Sequence, residues 1–314
     1  MISENKNEER FKLPNLIIGG VHKAGTTSVF TYLSMHPDVC GSSTKEIGFF
    51  MPLKYGKEIA PVEEYSKYWE HCEGRKKYLL EASPSYIYGK EIIAERIQKE
   101  LGSEVKMIFI FRNPADRLFS FYERKKANTY LGKNVSFRDF IEKSMTMSET
   151  ELDNHRDDEE ALFLRGIREG FYIDYLPPWF EKFGERLKIL FFEDLKKDSS
   201  VFMHDLCQWL NLDFSIYSPA DFRVENQTIA YRNKWLHKSL LFINKKFEAF
   251  WRKNIRLKRI LRSLYKGVNA EDKNRERMSE DDRTYLDKIY SSYNKRLAEF
   301  LNEKGIMRLP EWLM

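Results

Sequence analysis

Short apolar runs alternate with longer stretches of helical spacing along this chain. Residues 15–21 (NLIIGGV) are apolar up to a pair of glycines and read as a buried strand. Residues 27–35 (TSVFTYLSM) place apolar side chains at helical intervals, and Pro37 follows as a stop. A second run at 105–111 (VKMIFIF) is rich in branched and aromatic residues and too short for a helix. Arg112-Asn113-Pro114 breaks it, and 115–126 reads as a helix with Pro114 near its start. A third strand is expected at 187–192 (LKILFF), with helices at 90–101 and 171–183. Strands alternating with helices predict an α/β fold: a central parallel sheet flanked by helices.

The 314 residues allow one large domain or two medium ones at ~100–200 residues each. Hydrophobic residues make up 42% and aromatics 15%, which supplies a core and excludes a disordered or fibrous chain. Lys plus Arg number 53 against 48 Asp plus Glu, a net charge of +5 that excludes neither an anionic nor a neutral ligand. The charge is unevenly spread, however. Seven acids (Glu149, Glu151, Asp153, Asp157, Asp158, Glu159, Glu160) stand against Arg156 alone in 149–160, which reads as a solvated loop. Twelve Lys or Arg against one acid, Glu248, fill 232–266, where Leu236, Leu240, Ile243, Phe247, Phe250 and Trp251 recur at helical spacing. No repeat or low-complexity linker divides the chain. A single domain over 1–314 is expected, with a flexible N-terminus at 1–13 and a basic helical insertion at 232–278. Cys40, Cys72 and Cys207 lie far apart, lack metal-ligand spacing and are odd in number, so no disulfide framework is expected and a reducing compartment fits. The N-terminus (MISENKNEERFK) has no apolar stretch of the signal-peptide kind, and no run approaches ~18 apolar residues. The expectation is a soluble, cytoplasmic protein with a possible membrane-surface contact through 232–266.

Gly20-Val21-His22-Lys23-Ala24-Gly25-Thr26-Thr27 carries the first candidate chemistry. Two glycines five apart, between a strand and a helix, frame a P-loop-like turn. Backbone N–H groups at the helix start then point at an anion, and the helix dipole favours it. In the ATP and GTP loops a Lys follows the second Gly; here Thr26 holds that place and Lys23 precedes Gly25. Phe109-Ile110-Phe111 ends in Arg112 and not in an Asp that would serve magnesium. His22 reads as lining this loop; no His, Cys, Asp and Glu cluster suggests a metal. Arg112 through Ser120 likewise follows a strand and opens a helix. Ligands of open α/β sheets bind outside the carboxyl ends of the strands, so both loops should face one crevice. Two anion sites there suit a nucleotide with phosphates at both ends, with Arg112 offering a bidentate fork and Ser120 a hydroxyl.

At these residues the chain resembles the sulfotransferases that use 3′-phosphoadenosine-5′-phosphosulfate (PAPS), most of all the heparan-sulfate-type, carbohydrate branch and its bacterial relatives. Lys23-Ala24-Gly25-Thr26-Thr27-Ser28 resembles that family's 5′-phosphosulfate loop, and Arg112 to Ser120 its 3′-phosphate motif. Lys45-Glu46-Ile47-Gly48-Phe49-Phe50 is similar to a family segment whose Glu is the catalytic base. Glu81-Ala82-Ser83-Pro84-Ser85-Tyr86 resembles a substrate-cleft segment, and Gly170-Phe171-Tyr172, Trp179 and Phe192-Glu193-Asp194 resemble the central scaffold. The likeness spans roughly 15–230 and 279–312. A late basic loop usually closes over the nucleotide; Asn226 to Lys234 is the candidate but lacks its glycine, leaving Arg232 and Lys234 the weaker assignments.

The resemblance implies PAPS as co-substrate without a metal. It implies Glu46 as general base, Lys23 on the leaving phosphate, and Lys45, Glu81, Ser83 and Tyr172 at the substrate. The acceptor hydroxyl it implies lies on a carbohydrate, or on a glycosylated or small natural product; no nucleic-acid partner is expected. Two other readings remain open at this point: a P-loop kinase of a small molecule, against which Thr26 counts, and a basic membrane-surface or polyanion-binding protein resting on 232–266.

Overall fold

A computed structural model describes residues 11–127, 135–146, 165–222, 230–231, 270–271 and 277–314. The acidic stretch 149–160, the basic segment 232–266 with Arg232 and Lys234, and residues 1–10 lie outside the described residues. The chain divides into two units, Met1–Glu225 with Met278–Met314, and Asn226–Arg277. In the second, Ala230–Tyr231 pairs antiparallel with Ala270–Glu271.

The first unit holds a five-stranded sheet of β1 (Leu16–Gly20), β2 (Val39–Gly41), β3 (Tyr78–Ala82), β4 (Lys106–Phe111) and β5 (Leu187–Phe191). Its order is β2-β3-β1-β4-β5 and every pairing is parallel. Leu16, Ile17 and Ile18 of central β1 are wholly buried, as a strand covered on both faces requires, which is why it reads as an unbroken apolar run. The chain runs from β1 to the β2 edge, returns through β3, then crosses to β4 on the other side of β1. In open sheets of this kind the ligand crevice lies at such a reversal, outside the carboxyl ends of the strands.

The flanking helices include α1 (Thr26–Leu33), α2 (Met51–Lys54), α3 (Val62–Ser66), α4 (Lys90–Leu101), α5 (Pro114–Ala127), α6 (Phe137–Thr146), α7 (Pro177–Phe183), α8 (Phe192–Lys197), α9 (Ser199–Leu210) and α10 (Glu280–Glu303). All three expected strands and the helices at 27–35, 90–101 and 115–126 are present within a residue or two. The helix expected over 171–183 is broken: a 3-10 turn covers Tyr172–Asp174, and α7 begins only at Pro177. Two successive prolines lack the N–H groups that would carry a helix through from 171, but a proline suits a first helical position. A side core joins α5, α6 and α10 through Leu118, Tyr122, Phe140, Ile141, Leu286 and Tyr290.

One expectation is corrected outright. Cys40 and Cys72 form a disulfide across a separation of 32 residues, and Cys207 is the buried free thiol. Distance along the chain is no guide here. Cys40 lies on β2, and the turn after α3 returns Cys72 beside it.

Candidate active site

Three strand ends interlock to build one side of the crevice. Gly25 sits at φ 84° before α1, a left-handed conformation that costs an L side chain ~1–2 kcal/mol. A Cβ there would stand 2.7 Å from Leu195 Cδ2 and 3.0 Å from Phe192 Cδ2, so glycine is required twice over. Having no side chain, Gly25 cannot cap α1, and the first-turn N–H groups of Thr26, Thr27 and Ser28 open the helix. Thr26 and Ser28 are buried, Thr27 half-buried. Arg112, at the end of β4, donates from Nη1 to the Lys23 carbonyl at 2.9 Å. Its guanidinium lies 4.7 Å from the Phe192 ring centroid. The Asn113 N–H donates to Glu193 Oε1 at 2.9 Å, while Asn113 Oδ1 caps α5 by accepting from Ala115 and Asp116. The two anion loops therefore do face each other. Ser120 is half-buried on α5, two turns beyond Asn113.

Lys23 is a strongly perturbed cation of this side. Burial pushes its ammonium down to about 8, and the charges of Arg124 and Arg112 push the same way. Glu123 and Glu46 oppose them, so the Glu46 carboxylate acts on Lys23 through space. Burial likewise lowers His22, whose ring stacks 6.4 Å from that of Tyr88.

The other side is carried by the loop after β2. Glu46 is exposed, and its Oε1 accepts from Lys45 Nζ at 2.7 Å. Its backbone is also left-handed, φ 63°, as is that of Lys23, φ 69°. Two residues with a chemical assignment thus occupy a conformation costing ~1–3 kcal/mol, a pattern associated with functional sites. The Glu46 N–H donates to Ala82 O at 2.8 Å. Partial loss of hydration in the loop would raise the Glu46 carboxyl, but the ammonium of Lys45, its hydrogen bond, and the charges of His22 and Arg124 together hold it below the ordinary carboxylate value.

Behind this loop lies Glu81, with no exposure at all. Its carboxylate accepts from Tyr65 Oη, from Ser83 Oγ at 2.5 Å and from Tyr86 Oη at 2.9 Å. Ser83 Oγ accepts in turn from the Gly48 N–H at 2.9 Å. Burial raises the Glu81 carboxyl against the pull of those hydrogen bonds. Phe49 stacks on Tyr65 with centroids 4.1 Å apart.

Glu81 and Ser83, expected at the substrate, are thus enclosed as a brace for the 46–50 loop. Tyr172 is also enclosed, stacked on Phe111 and donating to the Arg112 carbonyl at 2.9 Å. Of the expected substrate residues only Lys45 stands beside Glu46. Sequence reasoning missed Arg124 and the brace member Tyr65; Tyr86 fell within the quoted Glu81–Tyr86 segment without a role of its own. Arg124 lies four residues after Ser120, one turn along the same helix, so helical spacing carried its signal. Tyr65 had none, because its partner Glu81 is 16 residues away in sequence.

The model of the family described as Sulfotransferase domain matches residues 13–301, and the chain belongs to that family. Membership of that family sets aside the kinase reading. The chain is 26% identical over 319 residues to the bifunctional heparan sulfate N-deacetylase/N-sulfotransferase 1 of Homo sapiens, covering 99% of this chain and 32% of that protein. Its identity to the Caenorhabditis briggsae protein of the same name is 25%, covering 96% of this chain and 31% of that one. The chain thus spans about a third of the length of these curated relatives. A crystal structure of a sulfotransferase from Alicyclobacillus acidocaldarius shares the fold, with a TM-score of 0.66, 20% identity, and coverage of 96% of this chain and 100% of that one.

Proposed function

We propose that the protein transfers the sulfuryl group of PAPS to a nucleophile on a carbohydrate acceptor. The observation that carries this reading is the junction of two anion loops through Arg112 Nη1 and the Lys23 carbonyl, with an exposed carboxylate, Glu46, coupled electrostatically to Lys23. PAPS supplies an activated sulfuryl group on a phosphate that leaves as PAP. Thr26, Thr27 and Ser28 hold the 5′-phosphate with helix-start N–H groups and hydroxyls; Arg112 and Ser120 hold the 3′-phosphate. Lys23 meets the negative charge that grows on the bridging oxygen as the bond to sulfur breaks. That interaction is stronger in the transition state than before it, so it accelerates the step. Glu46, kept ionised by Lys45, takes the proton of the attacking acceptor group, a contribution of ~10²–10⁴-fold. Lys45 also offers a charge to an anionic acceptor. Glu81 and Ser83 act through the loop they brace, and Tyr172 through the Arg112 carbonyl. Arg232 and Lys234 remain proposed closing residues over the nucleotide.

The kinship to heparan sulfate N-sulfotransferases supports a carbohydrate acceptor. Incubation with ³⁵S-labelled PAPS and a panel of oligosaccharides, with small phenols and amines as controls, tests the reading. Label on an oligosaccharide supports it. Label on the phenols or amines alone overturns the carbohydrate assignment, and PAPS consumption no faster than without enzyme overturns the transfer.

A further inference from the structure

We propose that Cys40, His71 and Cys72 form a redox-gated site for one thiophilic divalent cation of the zinc class, open when the disulfide is reduced. The site does not depend on the sulfuryl-transfer reading.

The ligand set is assembled from two parts of the chain. Cys40 lies on β2, its backbone paired with Leu79 of β3. His71 and Cys72 follow α3 and its 3-10 extension, Lys67–Trp69. Cys72 is fixed at both backbone ends: its N–H donates to Trp69 O at 3.0 Å, and its carbonyl accepts from Lys12 Nζ at 2.6 Å. The two segments are tied by the Ser43 N–H donating to Tyr68 O at 2.8 Å. Cys40 stands 31 residues from His71, a separation no short sequence signature would reveal.

The geometry is that of a coordination shell. His71 Nε2 lies 3.7 Å from Cys40 Sγ and 3.9 Å from Cys72 Sγ, and all the candidate ligand atoms fall within 4.8 Å of one another. Around a tetrahedral zinc with bonds of ~2.3 Å to sulfur and ~2.0 Å to nitrogen, neighbouring ligand atoms are separated by about 3.5–3.8 Å. The imidazole therefore already stands at two edges of such a tetrahedron. Parting the sulfurs on reduction supplies the third. Cys72 is buried, Cys40 half-buried and His71 exposed, so the fourth position faces solvent. Two soft thiolates with one imidazole select zinc-like ions over magnesium or calcium.

The two states exclude each other chemically. On uptake, two thiols lose two protons to solvent and two metal–sulfur bonds form. On oxidation, a small-molecule disulfide accepts two electrons and leaves as two thiols after taking up two protons. The Cys40–Cys72 bond forms and the cation is released. A disulfide sulfur carries no thiolate charge with which to hold the cation.

Cobalt(II) is the probe, because thiolate ligation gives it an absorption band that oxygen ligation does not. The protein is reduced with a phosphine, freed of metal by chelation and titrated without oxygen, beside an oxidised sample. The expected result is one equivalent of cobalt bound with a thiolate-to-cobalt band in the reduced protein, displaced by zinc, and no band in the oxidised protein. His71→Ala alters an exposed side chain, so its fold is expected to survive; circular dichroism checks this. It should weaken cobalt binding by about tenfold or more, since even outer-shell partners of metal ligands are worth that much. A reduced protein with no thiolate band at one equivalent overturns the proposal. So does a folded His71→Ala variant that binds cobalt as tightly as the parent.

Discussion

The two sides of the crevice are built by different means. The donor side, at the ends of β1, β4 and β5, is held largely by backbone: a left-handed glycine, a helix start, and a carbonyl and an amide engaged by Arg112 and Glu193. The acceptor side, after β2 and β3, is held by side chains around one buried carboxylate, Glu81, with Tyr65, Ser83 and Tyr86 donating to it. A backbone cradle suits a ligand that is the same in every turnover, because it fixes N–H positions whatever the neighbouring side chains are. A side-chain brace fixes the loop of the proposed base, Glu46, and leaves the surrounding surface free to vary. Perturbing one side should therefore spare the other.

The largest expected effect is on the acceptor side. Glu46→Gln should lower kcat by ~10²–10⁴-fold by removing the proton acceptor, while calorimetry finds PAP affinity nearly unchanged. A large loss of PAP affinity would show that Glu46 belongs to the donor side after all. Lys23→Ala should follow, with a loss of ~10²–10³-fold in turnover of PAPS by a folded protein. Activity within a few-fold of the parent would remove Lys23 from the mechanism.

Gly25→Ala should weaken PAP binding by about tenfold, ~1.4 kcal/mol, in calorimetry. The new Cβ meets Leu195 and Phe192, and its backbone is left-handed. Unfolding should also come at lower denaturant. On the acceptor side, Tyr65→Phe removes one donor to the buried Glu81 carboxylate and should cost ~1–3 kcal/mol in denaturant unfolding. PAP affinity should stay as it was.

The pH profile sharpens the comparison further, since each side supplies one limb. Glu46 must be ionised, and its carboxyl titrates below the ordinary value, so kcat/KM should fall only at quite acid pH. Lys23 must be protonated, and it loses its proton near pH 8 in the free protein, so activity should decline as pH rises through about 8. Lys23→Arg keeps its charge far above that pH. In that variant the alkaline limb should disappear from the profile, whatever its residual rate.

The same contrast explains what the sequence disclosed. β1, β4 and β5 are mostly apolar runs, and the loops after β1 and β4 carry Gly, Lys, Arg and Pro in fixed order, so this side of the crevice was legible. β3 was not: its sequence, YLLEA, carries a charge whose burial only the Tyr65, Ser83 and Tyr86 hydroxyls explain. β2 is three residues long, below any periodic signal. The motif drew attention to Glu46, which is exposed, and equally to Glu81 and Ser83, which are buried, because a motif records neither burial nor direction. The Cys40–Cys72 pair was hidden for a similar reason, since β2 and the turn after α3 meet only once the sheet has formed.

Arg283, near the start of α10, donates to Asn113 Oδ1 at 3.4 Å and pairs with Asp116 on the first turn of α5. This contact spans 170 residues of sequence. On a ribosome adding ~5–20 residues per second, the loop from Arg112 to Ser120 would emerge many seconds before the helix that fastens it. A nascent chain could then hold a finished β1–α1 cradle beside an unfinished partner loop. Competence to grip the nucleotide at both ends would come late in synthesis, limited by the slow search that joins distant segments.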